Sequence, residues 1–292
     1  MSARGFPWSA PDWPQGVERP LPRRSLGVDY DTAWSRRYPA RLARALVLEL
    51  LTRPLVAAVA SPTVSGLDHL ERLQRPVIFA ANHESHVDTP VVLACLPERF
   101  RHRTIVAAGA DYFFDRTWKA ALWAGLLAAI PVDRQKVNRR SSDLARELIG
   151  QGWSLVIFPE GGRSPDGWGQ PFRGGAAYLS VRTGAPVVPL YLGGTRRIQA
   201  RGERGLRRAS TRVRFGPALR PADGEDTRRF GTRVAKAVAV LADEETTDWW
   251  SAQRRAAQGT TPELTGPGAA PWRRSWAMGA RGERAAQAWP PR

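Results

Sequence analysis

His83 and Asp88, which both have ionisable side chains, stand five residues apart in the segment Asn82 to Asp88. This segment reads N-H-E-S-H-V-D. The segment follows an apolar run from Pro76 to Ala81, whose length and β-branched content are typical of a buried strand. If Asp88 accepts a hydrogen bond from one ring nitrogen of His83, the carboxylate fixes the tautomer and stabilises the imidazolium. The other ring nitrogen is then available as a general base. These residue types and their spacing are therefore suited to acid–base catalysis.

This pairing requires a turn between the two residues. On a continuous helix, side chains five positions apart point about 140° away from each other. Pro90 can occupy only the first turn of a helix, because deeper in a helix it would remove a hydrogen bond and clash with the preceding turn. We therefore predict that a helix begins near Asp88 and runs to about Leu96. Residues 83–87 then form a turn that lets Asp88 fold back towards His83.

Two other interpretations of the same segment remain open. His83 and Asp88 could be a surface imidazole and a helix-capping carboxylate. The letters H-E-S-H also suggest a metal site, but these histidines are three residues apart, whereas the H-E-x-x-H pattern of metalloproteases places them four apart. The other two histidines, His69 and His102, have no obvious ligand spacing to this pair. A metal-dependent phosphoesterase that uses His83, His86 and Asp88 is thus the weaker hypothesis, and we expect no bound metal.

The composition limits the classes of protein that the chain can belong to. Its 292 residues suffice for one large domain with extensions. The net charge is +17, and only three of the 44 basic residues are lysine. A surface rich in arginine suits phosphate groups, either on nucleic acid or on an anionic lipid leaflet. The single cysteine, Cys95, excludes an internal disulfide, and its place in an apolar helix indicates a small buried side chain rather than a nucleophile.

The N-terminal part of the chain shows two patterns. Residues 1–27 are rich in proline, arginine and tryptophan without a helical or strand period, which predicts an irregular extension. Residues 28–62 have a helical pattern interrupted at Arg53-Pro54, which predicts a pair of helices. This stretch lacks the about 20 uninterrupted apolar residues that a membrane span needs. It could lie in a lipid interface or simply cover the core. Because no N-terminal segment has the layout of a signal peptide, we expect a cytoplasmic location.

Strand and helix patterns alternate over residues 63–245. The predicted strands are 76–81, 104–108, 130–132, 153–158, 187–192 and 211–215, and the predicted helices are 88–96, 118–128, 141–151, 176–183 and 227–241. Connection rules favour an α/β fold in which a single domain contains a mixed, largely parallel sheet flanked by helices. Its ligand site is expected at the carboxyl ends of the strands. Residues 246–292 form an irregular tail rich in tryptophan and arginine, which suits a bilayer interface, single-stranded nucleic acid or packing on the domain.

Two predicted strands end in residues that suit a phosphate group. Arg134 follows the apolar residues 130–132, and a guanidinium matches the oxygens of a phosphate. The strand 153–158 is followed by P-E-G-G-R-S, in which two glycines allow close approach of a ligand while Arg163 and Ser164 offer donors. Glu160 could orient Arg163 or a substrate hydroxyl. A tight turn with an exposed loop is the alternative, because S-P-D-G at 164–167 is strong turn chemistry.

Four separated segments together resemble the motifs of the glycerolipid acyltransferase superfamily, whose best known members are 1-acylglycerol-3-phosphate acyltransferases. The segments are N-H with Asp88, D-R at 133–134, F-P-E-G-G-R-S at 158–164 and V-P-L at 188–190. The resemblance covers about residues 64–220. Three positions depart from the family pattern, since the family commonly has glycine at Ala128, an aromatic or apolar residue at Pro131 and threonine at Gly162.

The resemblance implies a role for each matching residue. His83 is implied as the general base and Asp88 as its partner. The implied acceptor-binding positions are Arg134, Glu160, Gly161 and Arg163, with Pro189 in the fourth motif, and we add the neighbouring Asn82, Ser164 and Arg173 as further substrate-binding candidates.

The implied reaction moves an acyl group from acyl-CoA or acyl carrier protein to a hydroxyl of a lysophospholipid. It needs no cofactor and no covalent enzyme intermediate, and the chain has no G-x-S-x-G elbow of an acyl-serine hydrolase. The expected partners are a lysophospholipid, the acyl donor and the inner face of the cell membrane, with no nucleic acid. A non-catalytic basic protein that binds membrane or nucleic acid is the remaining alternative.

Overall fold

One seven-stranded sheet organises the protein. The computed structural model describes residues 27–133, 139–203, 205–268, 273, 274 and 277. The strands are β1 (Pro62–Ser65), β2 (Ile78–Ala81), β3 (Thr104–Gly109), β4 (Ala129–Val132), β5 (Ser154–Ile157), β6 (Val187–Gly193) and β7 (Thr211–Phe215). Their order across the sheet is β1-β7-β6-β2-β5-β3-β4. Among the seven strands of the described residues, only β6 and β7 pair in antiparallel fashion. The predicted mixed, largely parallel sheet is confirmed.

Helices cover both faces of the sheet. They are α1 (Tyr38–Val47), α2 (Arg53–Ala60), α3 (Asp68–Glu71), α4 (Asp88–Cys95), α5 (Glu98–Arg101), α6 (Ala110–Phe113), α7 (Thr117–Leu127), α8 (Arg139–Gly150), α9 (Gly175–Thr183), α10 (Thr195–Ile198), α11 (Thr227–Thr246) and α12 (Trp249–Gln258). Short 3-10 turns at Gly27–Asp29 and Ala33–Arg36 precede α1. Each predicted helix of the domain is present, although α11 extends five residues beyond the predicted end.

The central strand β2 explains why the sheet needs both layers. All four of its residues are buried, as expected for a parallel strand with helices above and below. Phe79 points into one core, where its ring packs edge-on against Phe100 and Phe215. Ile78 and Ala80 point into the other core. Alternate residues thus bind β2 to α2 and α4 on one face, and to α8, α9 and α11 on the opposite face.

The N-terminal helices do not break at the proline, contrary to the prediction from Arg53-Pro54. A π-helical turn at Leu48–Thr52 joins α1 to α2, and the N–H of Arg53 donates to the carbonyl of Leu48. Proline has no backbone N–H to donate. In a widened turn of this kind no hydrogen bond is required from the Pro54 nitrogen, so the proline is accommodated within the helix. None of the helices in the described ranges is long and apolar enough to cross a membrane.

Besides the four-residue helices α3, α5, α6 and α10, the structure adds β1 and α12, which the sequence patterns did not predict. The edge strand β1 is only four residues long and half-buried. The expected irregular tail contains α12, whose first turn is capped by the Asp248 carboxylate accepting from the N–H of Ser251 at 3.0 Å. Arg255 of α12 binds Asp243 of α11 through two nitrogens at 2.7 and 2.8 Å. Residues 1–26 and most of 269–292 lie outside the described residues.

One departure from the family pattern coincides with an unusual backbone position. Ala128 ends α7 in the left-handed region, with φ of +50°. Only glycine adopts this region without a steric cost. A glycine at this position in the family therefore has a backbone reason, and the chain carries alanine in the same conformation.

Candidate active site

The turn between β2 and α4 brings the two predicted catalytic side chains together. His83 Nδ1 lies 2.8 Å from Asp88 Oδ2, and Asp88, the first residue of α4, is 0% exposed. The same oxygen accepts the N–H groups of Glu84 at 2.7 Å and Ser85 at 2.9 Å. An ionised carboxylate can only accept hydrogen bonds, so Nδ1 of His83 carries the proton. The lone pair of the ring is then on Nε2, which is the arrangement that a general base requires.

The position of the His83 ring is fixed by the strand next to β2. Phe158, the residue after β5, stacks on the ring with a centroid distance of 4.2 Å and an interplanar angle of 22°. The backbone of His83 is also bonded on both sides, since its N–H donates to Glu160 and its carbonyl accepts from Ser164. The sequence analysis did not give Phe158 a role. Its place immediately after a strand that pairs with β2 was the available signal.

A cavity of about 520 Å³ begins at His83. It lies where the sheet divides, because β5 pairs with β3 only as far as Val106, while the last residues of β3 pair with β4 alone. Side chains from both faces of the sheet therefore line it, Val106 from one core and Ala107 from the other. Most of the remaining lining is apolar, including Phe113, Trp123, Leu127, Ile157 and Leu179. The space suits a long apolar group whose reactive end lies next to the imidazole.

Glu160 holds the loop after β5 and does not line the cavity. It is 2% exposed, and each carboxylate oxygen accepts a backbone N–H, from His83 at 2.9 Å and from Gln170 at 2.8 Å. Burial raises the pKa of Glu160 to about 7, and the nearby charge of Asp88 acts in the same direction. The carboxylate thus joins the turn after β2 to the loop after β5.

The remaining residues of that loop divide into two groups. Ser164 is buried and its hydroxyl accepts the N–H of Gly167 at 2.7 Å, so it stabilises the S-P-D-G turn. Gly161 and Arg173 line the cavity. Gly161 has φ of +71°, and a Cβ there would lie 2.9 Å from Arg173 Nε. The arginine therefore lies directly over a backbone position that only glycine fills without strain.

Two of the other predicted substrate-binding residues lie in the sheet. Asn82 Nδ2 donates to the carbonyl of Leu192 at 2.9 Å, and its Oδ1 accepts the N–H of the same residue at 2.7 Å. Asn82 thereby continues the pairing of β2 with β6 beyond the end of the strand. Pro189 is buried within β6 opposite Ala80. Arg134 lies outside the described residues, whereas the preceding Asp133 lines the cavity.

His86 is part of the aromatic wall of the cavity. Its ring stacks on Tyr112 with a centroid distance of 5.3 Å, and Nε2 lies 3.3 Å from the tyrosine hydroxyl. Burial lowers the pKa of His86 to about 4, assisted by the positive charges of Arg163 and His83. Within the described ranges, no three His, Cys, Asp or Glu side chains are placed to hold a metal ion.

The central part of the chain matches the model of a known protein family. A model of the acyltransferase family matches residues 61–193. The match contains β1 to β6, together with both members of the His83–Asp88 pair and the loop after β5.

The chain is similar in sequence to 1-acyl-sn-glycerol-3-phosphate acyltransferases. A chloroplastic enzyme of this name from Brassica napus is 31% identical over 151 residues, which are 49% of this chain and 40% of that protein. The human enzyme alpha is 27% identical over 194 residues, which are 63% of this chain and 65% of that protein. The chain thus spans less than two thirds of the length of these relatives.

A solved structure has the same fold. The 1-acyl-sn-glycerophosphate acyltransferase PlsC from Thermotoga maritima aligns with a TM-score of 0.51 at 20% identity, covering 71% of this chain and 86% of that one. The α/β architecture is therefore shared. The likeness extends beyond the 61–193 match, since it covers more of the chain than that segment.

Proposed function

We propose that the chain transfers an acyl group from an acyl thioester to the free hydroxyl of a lysophospholipid such as 1-acylglycerol 3-phosphate. The observation that carries the proposal is the hydrogen bond between His83 Nδ1 and Asp88, with the His83 side chain lining a largely apolar cavity. The names of the similar proteins support the same substrate class. Acyl-CoA and acyl carrier protein are the two donors that supply such a thioester.

In the proposed reaction, His83 Nε2 removes the proton of the acceptor hydroxyl. The oxygen attacks the thioester carbonyl, the C–S bond breaks, and the departing thiolate takes the proton from the imidazolium. The products are the acylated lipid and the free thiol of the donor. The Asp88 carboxylate stabilises the transient imidazolium, because it lies 2.8 Å from Nδ1. General acid–base assistance of this kind contributes roughly 10²- to 10⁴-fold in rate.

Two arginines provide positive charge for the phosphate of the acceptor. Arg173 lines the cavity over Gly161, and Arg163 belongs to the loop after β5 that also carries Gly161. A guanidinium is well matched to a phosphate group, which accepts two parallel hydrogen bonds. The acceptor therefore lies with its phosphate near this loop and its hydroxyl towards His83, while the acyl chain occupies the apolar part of the cavity.

The surface beside the cavity suits a lipid bilayer. Helices α1 and α7 are in contact, since Arg44 donates to the carbonyl of Gly125 at 3.3 Å. Together they expose two rows of large apolar side chains, which we name the α1/α7 surface: Tyr38, Leu42, Leu46, Trp118, Leu122 and Leu126. On its other side α7 supplies Trp123 and Leu127 to the cavity wall. One helix thus separates this surface from the cavity, so peripheral binding to a membrane would bring lipid substrates next to the site.

Exposed cations flank the α1/α7 surface. Arg37 precedes α1 and Arg116 precedes α7, and both side chains are exposed. Basic residues beside an apolar surface are attracted to anionic lipid headgroups by about 1 kcal/mol each. The combination favours a membrane over nucleic acid as the partner of this face.

An acyl-transfer assay tests the proposal. The purified full chain is incubated with radiolabelled acyl-CoA or acyl carrier protein and with 1-acylglycerol 3-phosphate, a lysophosphatidylcholine or a monoacylglycerol. We expect labelled product with the phosphorylated acceptors and a loss of at least about 100-fold in the His83→Ala variant. His69→Ala is the matched control, because His69 also faces an aspartate, Asp68 at 3.8 Å, but on an exposed surface.

Three outcomes would contradict the proposal. Near-normal turnover in His83→Ala would remove the imidazole from the chemistry. Release of inorganic phosphate from the acceptor without acyl transfer would favour a phosphoesterase. Binding of vesicles or oligonucleotides with no turnover of any acceptor would favour a non-catalytic protein.

A further inference from the structure

The C-terminal part of the chain folds back over the loop after β5. Gly169 of that loop donates its N–H to the carbonyl of Leu264 at 2.8 Å. Trp168 is 8% exposed, and its ring packs against Gly266 so closely that a Cβ there would lie 2.2 Å from the indole. Residues 260–268 and Arg274 are named the C-terminal strap. It lies outside the 61–193 family match, so its role cannot be taken from the family.

Arg274 joins the strap to the loop. Its Nε donates to Asp166 Oδ2 at 2.7 Å, and NH1 donates to the carbonyls of Thr265 at 3.1 Å and Pro267 at 2.9 Å. Its own carbonyl accepts from the indole N–H of Trp168 at 3.0 Å. Arg274 therefore binds both the strap and the loop after β5. The hydrogen bond from Arg274 also holds the pKa of Asp166 below its usual range.

The other side of the same loop is bonded to the active site. Gln170 donates its backbone N–H to Glu160, and its side-chain amide donates to the carbonyls of Gly162 at 3.1 Å and Arg163 at 3.0 Å. The N–H of Ser164 donates to the carbonyl of His83 at 2.9 Å. Because Gln170 follows residues 166–169 directly and bonds the carbonyl of Arg163, a shift of 166–169 would move the backbone of Arg163. The loop lies between the strap and the imidazole.

We propose that the C-terminal strap positions the loop that binds the acceptor phosphate, with Asp166, Trp168 and Arg274 as positioning residues. This inference rests on the proposed function for the identity of the acceptor. The strap bonds to the part of the loop around 166–169, whereas the Asp88 carboxylate of α4 bonds the His83 ring itself. Loss of the strap contacts should therefore weaken acceptor binding more than it slows the chemical step.

Charge reversal at the ion pair tests this proposal. Asp166→Arg and Arg274→Asp are each expected to raise the acceptor KM by roughly 3- to 10-fold while changing kcat by less than about 2-fold, since partly exposed ion pairs have modest coupling energies. The double variant restores opposite charges. If the two single effects were independent, the fold-increase in acceptor KM of the double variant would be the product of the two single fold-increases. We expect its fold-increase to be at least about 3-fold smaller than that product. Trp168→Phe keeps the ring but removes the hydrogen bond to Arg274, so it provides a milder variant if a reversal prevents folding.

A matched control separates positioning from general destabilisation. Glu244 pairs with Arg214 at 2.7 Å, with side chains that are 18% and 24% exposed, compared with 35% and 23% for Asp166 and Arg274. Glu244→Arg should lower the melting temperature comparably but leave the acceptor KM unchanged. The proposal is wrong if Asp166→Arg and Trp168→Phe also leave the acceptor KM unchanged, or if their effects on kcat and KM equal those of Glu244→Arg. In either case the strap only stabilises the fold.

Hydrogen exchange distinguishes failure of this inference from failure of the proposed function. In Arg274→Asp, peptides that cover 160–170 should exchange faster than in the wild-type chain, whereas peptides that cover β2 should not change. Unchanged exchange in 160–170 would overturn the strap, whatever the enzyme does. If the wild-type chain transfers no acyl group while exchange responds as expected, the strap still positions the loop, and the acceptor assignment is what fails.

Discussion

Removing the charge of Asp88 while keeping its shape is the sharpest test of the proposed base. In Asp88→Asn the amide oxygen can take the place of Oδ2 and still accept from His83, Glu84 and Ser85, so the turn is retained. What is lost is the attraction between a carboxylate and the imidazolium. Two unit charges about 4 Å apart interact by about 4 kcal/mol at an effective dielectric constant of about 20. Part of this remains as a neutral hydrogen bond worth about 1 kcal/mol.

The difference predicts a loss of about 3 kcal/mol in transition-state stabilisation, which corresponds to a decrease in kcat of about 100-fold or more. The acceptor and donor KM values should change by less than about 3-fold, because neither substrate is expected to contact Asp88, which is fully buried. The assay is steady-state acyl transfer with both substrates varied. A melting temperature for each variant shows whether the fold is retained.

Asp243→Asn is the matched control for that experiment. Asp243 is also buried and hydrogen-bonded to a cation, Arg255, but it lies on α11 away from the cavity lining. Its replacement should reduce stability without reducing kcat. A decrease in kcat of less than 10-fold in Asp88→Asn, or an equal decrease in the control, would refute the idea that a positive imidazolium develops beside Asp88.

Three further predictions follow from the geometry. The pKa of Glu160 is raised in the folded state to about 7, so the native chain keeps a proton on this side chain that the unfolded chain has already lost above its ordinary pKa. The wild-type chain therefore loses stability as pH rises from that ordinary pKa through 7, whereas Glu160→Gln does not. The melting temperature of Glu160→Gln should accordingly rise relative to that of the wild-type chain over this pH range. Gly161→Ala should raise the acceptor KM, whereas Gly152→Ala, which has a similar positive φ but no neighbour within 4 Å, should reduce stability only. Leu122→Glu should weaken sedimentation with anionic vesicles, and Leu206→Glu, an equally exposed position off the α1/α7 surface, should not.

The sequence predicted most of the sheet because β2 to β6 are short apolar runs separated by turn residues. Those runs are buried on both faces, so periodicity and composition agree. The strand β1 was missed because it is a half-buried edge of four residues without such a run. The helix α12 was missed because its surface is mostly polar, although Asp248 and Gly259 at its ends are ordinary capping signals.

The sequence showed which residues lie near the candidate site, but it was less able to show what each of them does there. Asn82, Glu160 and Ser164 have side chains that could bind a substrate, yet in the structure their polar atoms bind backbone groups. Residue type shows which hydrogen bonds a side chain can make, but not which partner is nearest. The stacking of Phe158 on His83 depends in the same way on the adjacency of β2 and β5, which are far apart in the chain.

The sequence by itself determined that a turn, and not a continuous helix, separates the imidazole from its carboxylate. Pro90 restricts where α4 can begin, and that restriction requires the turn that joins His83 to Asp88. Only the tertiary structure decided what surrounds this pair: the cavity between β3 and β5, and the C-terminal strap across the loop after β5. Both arise from contacts between segments distant in sequence, whose free energy depends on packing that no local pattern specifies.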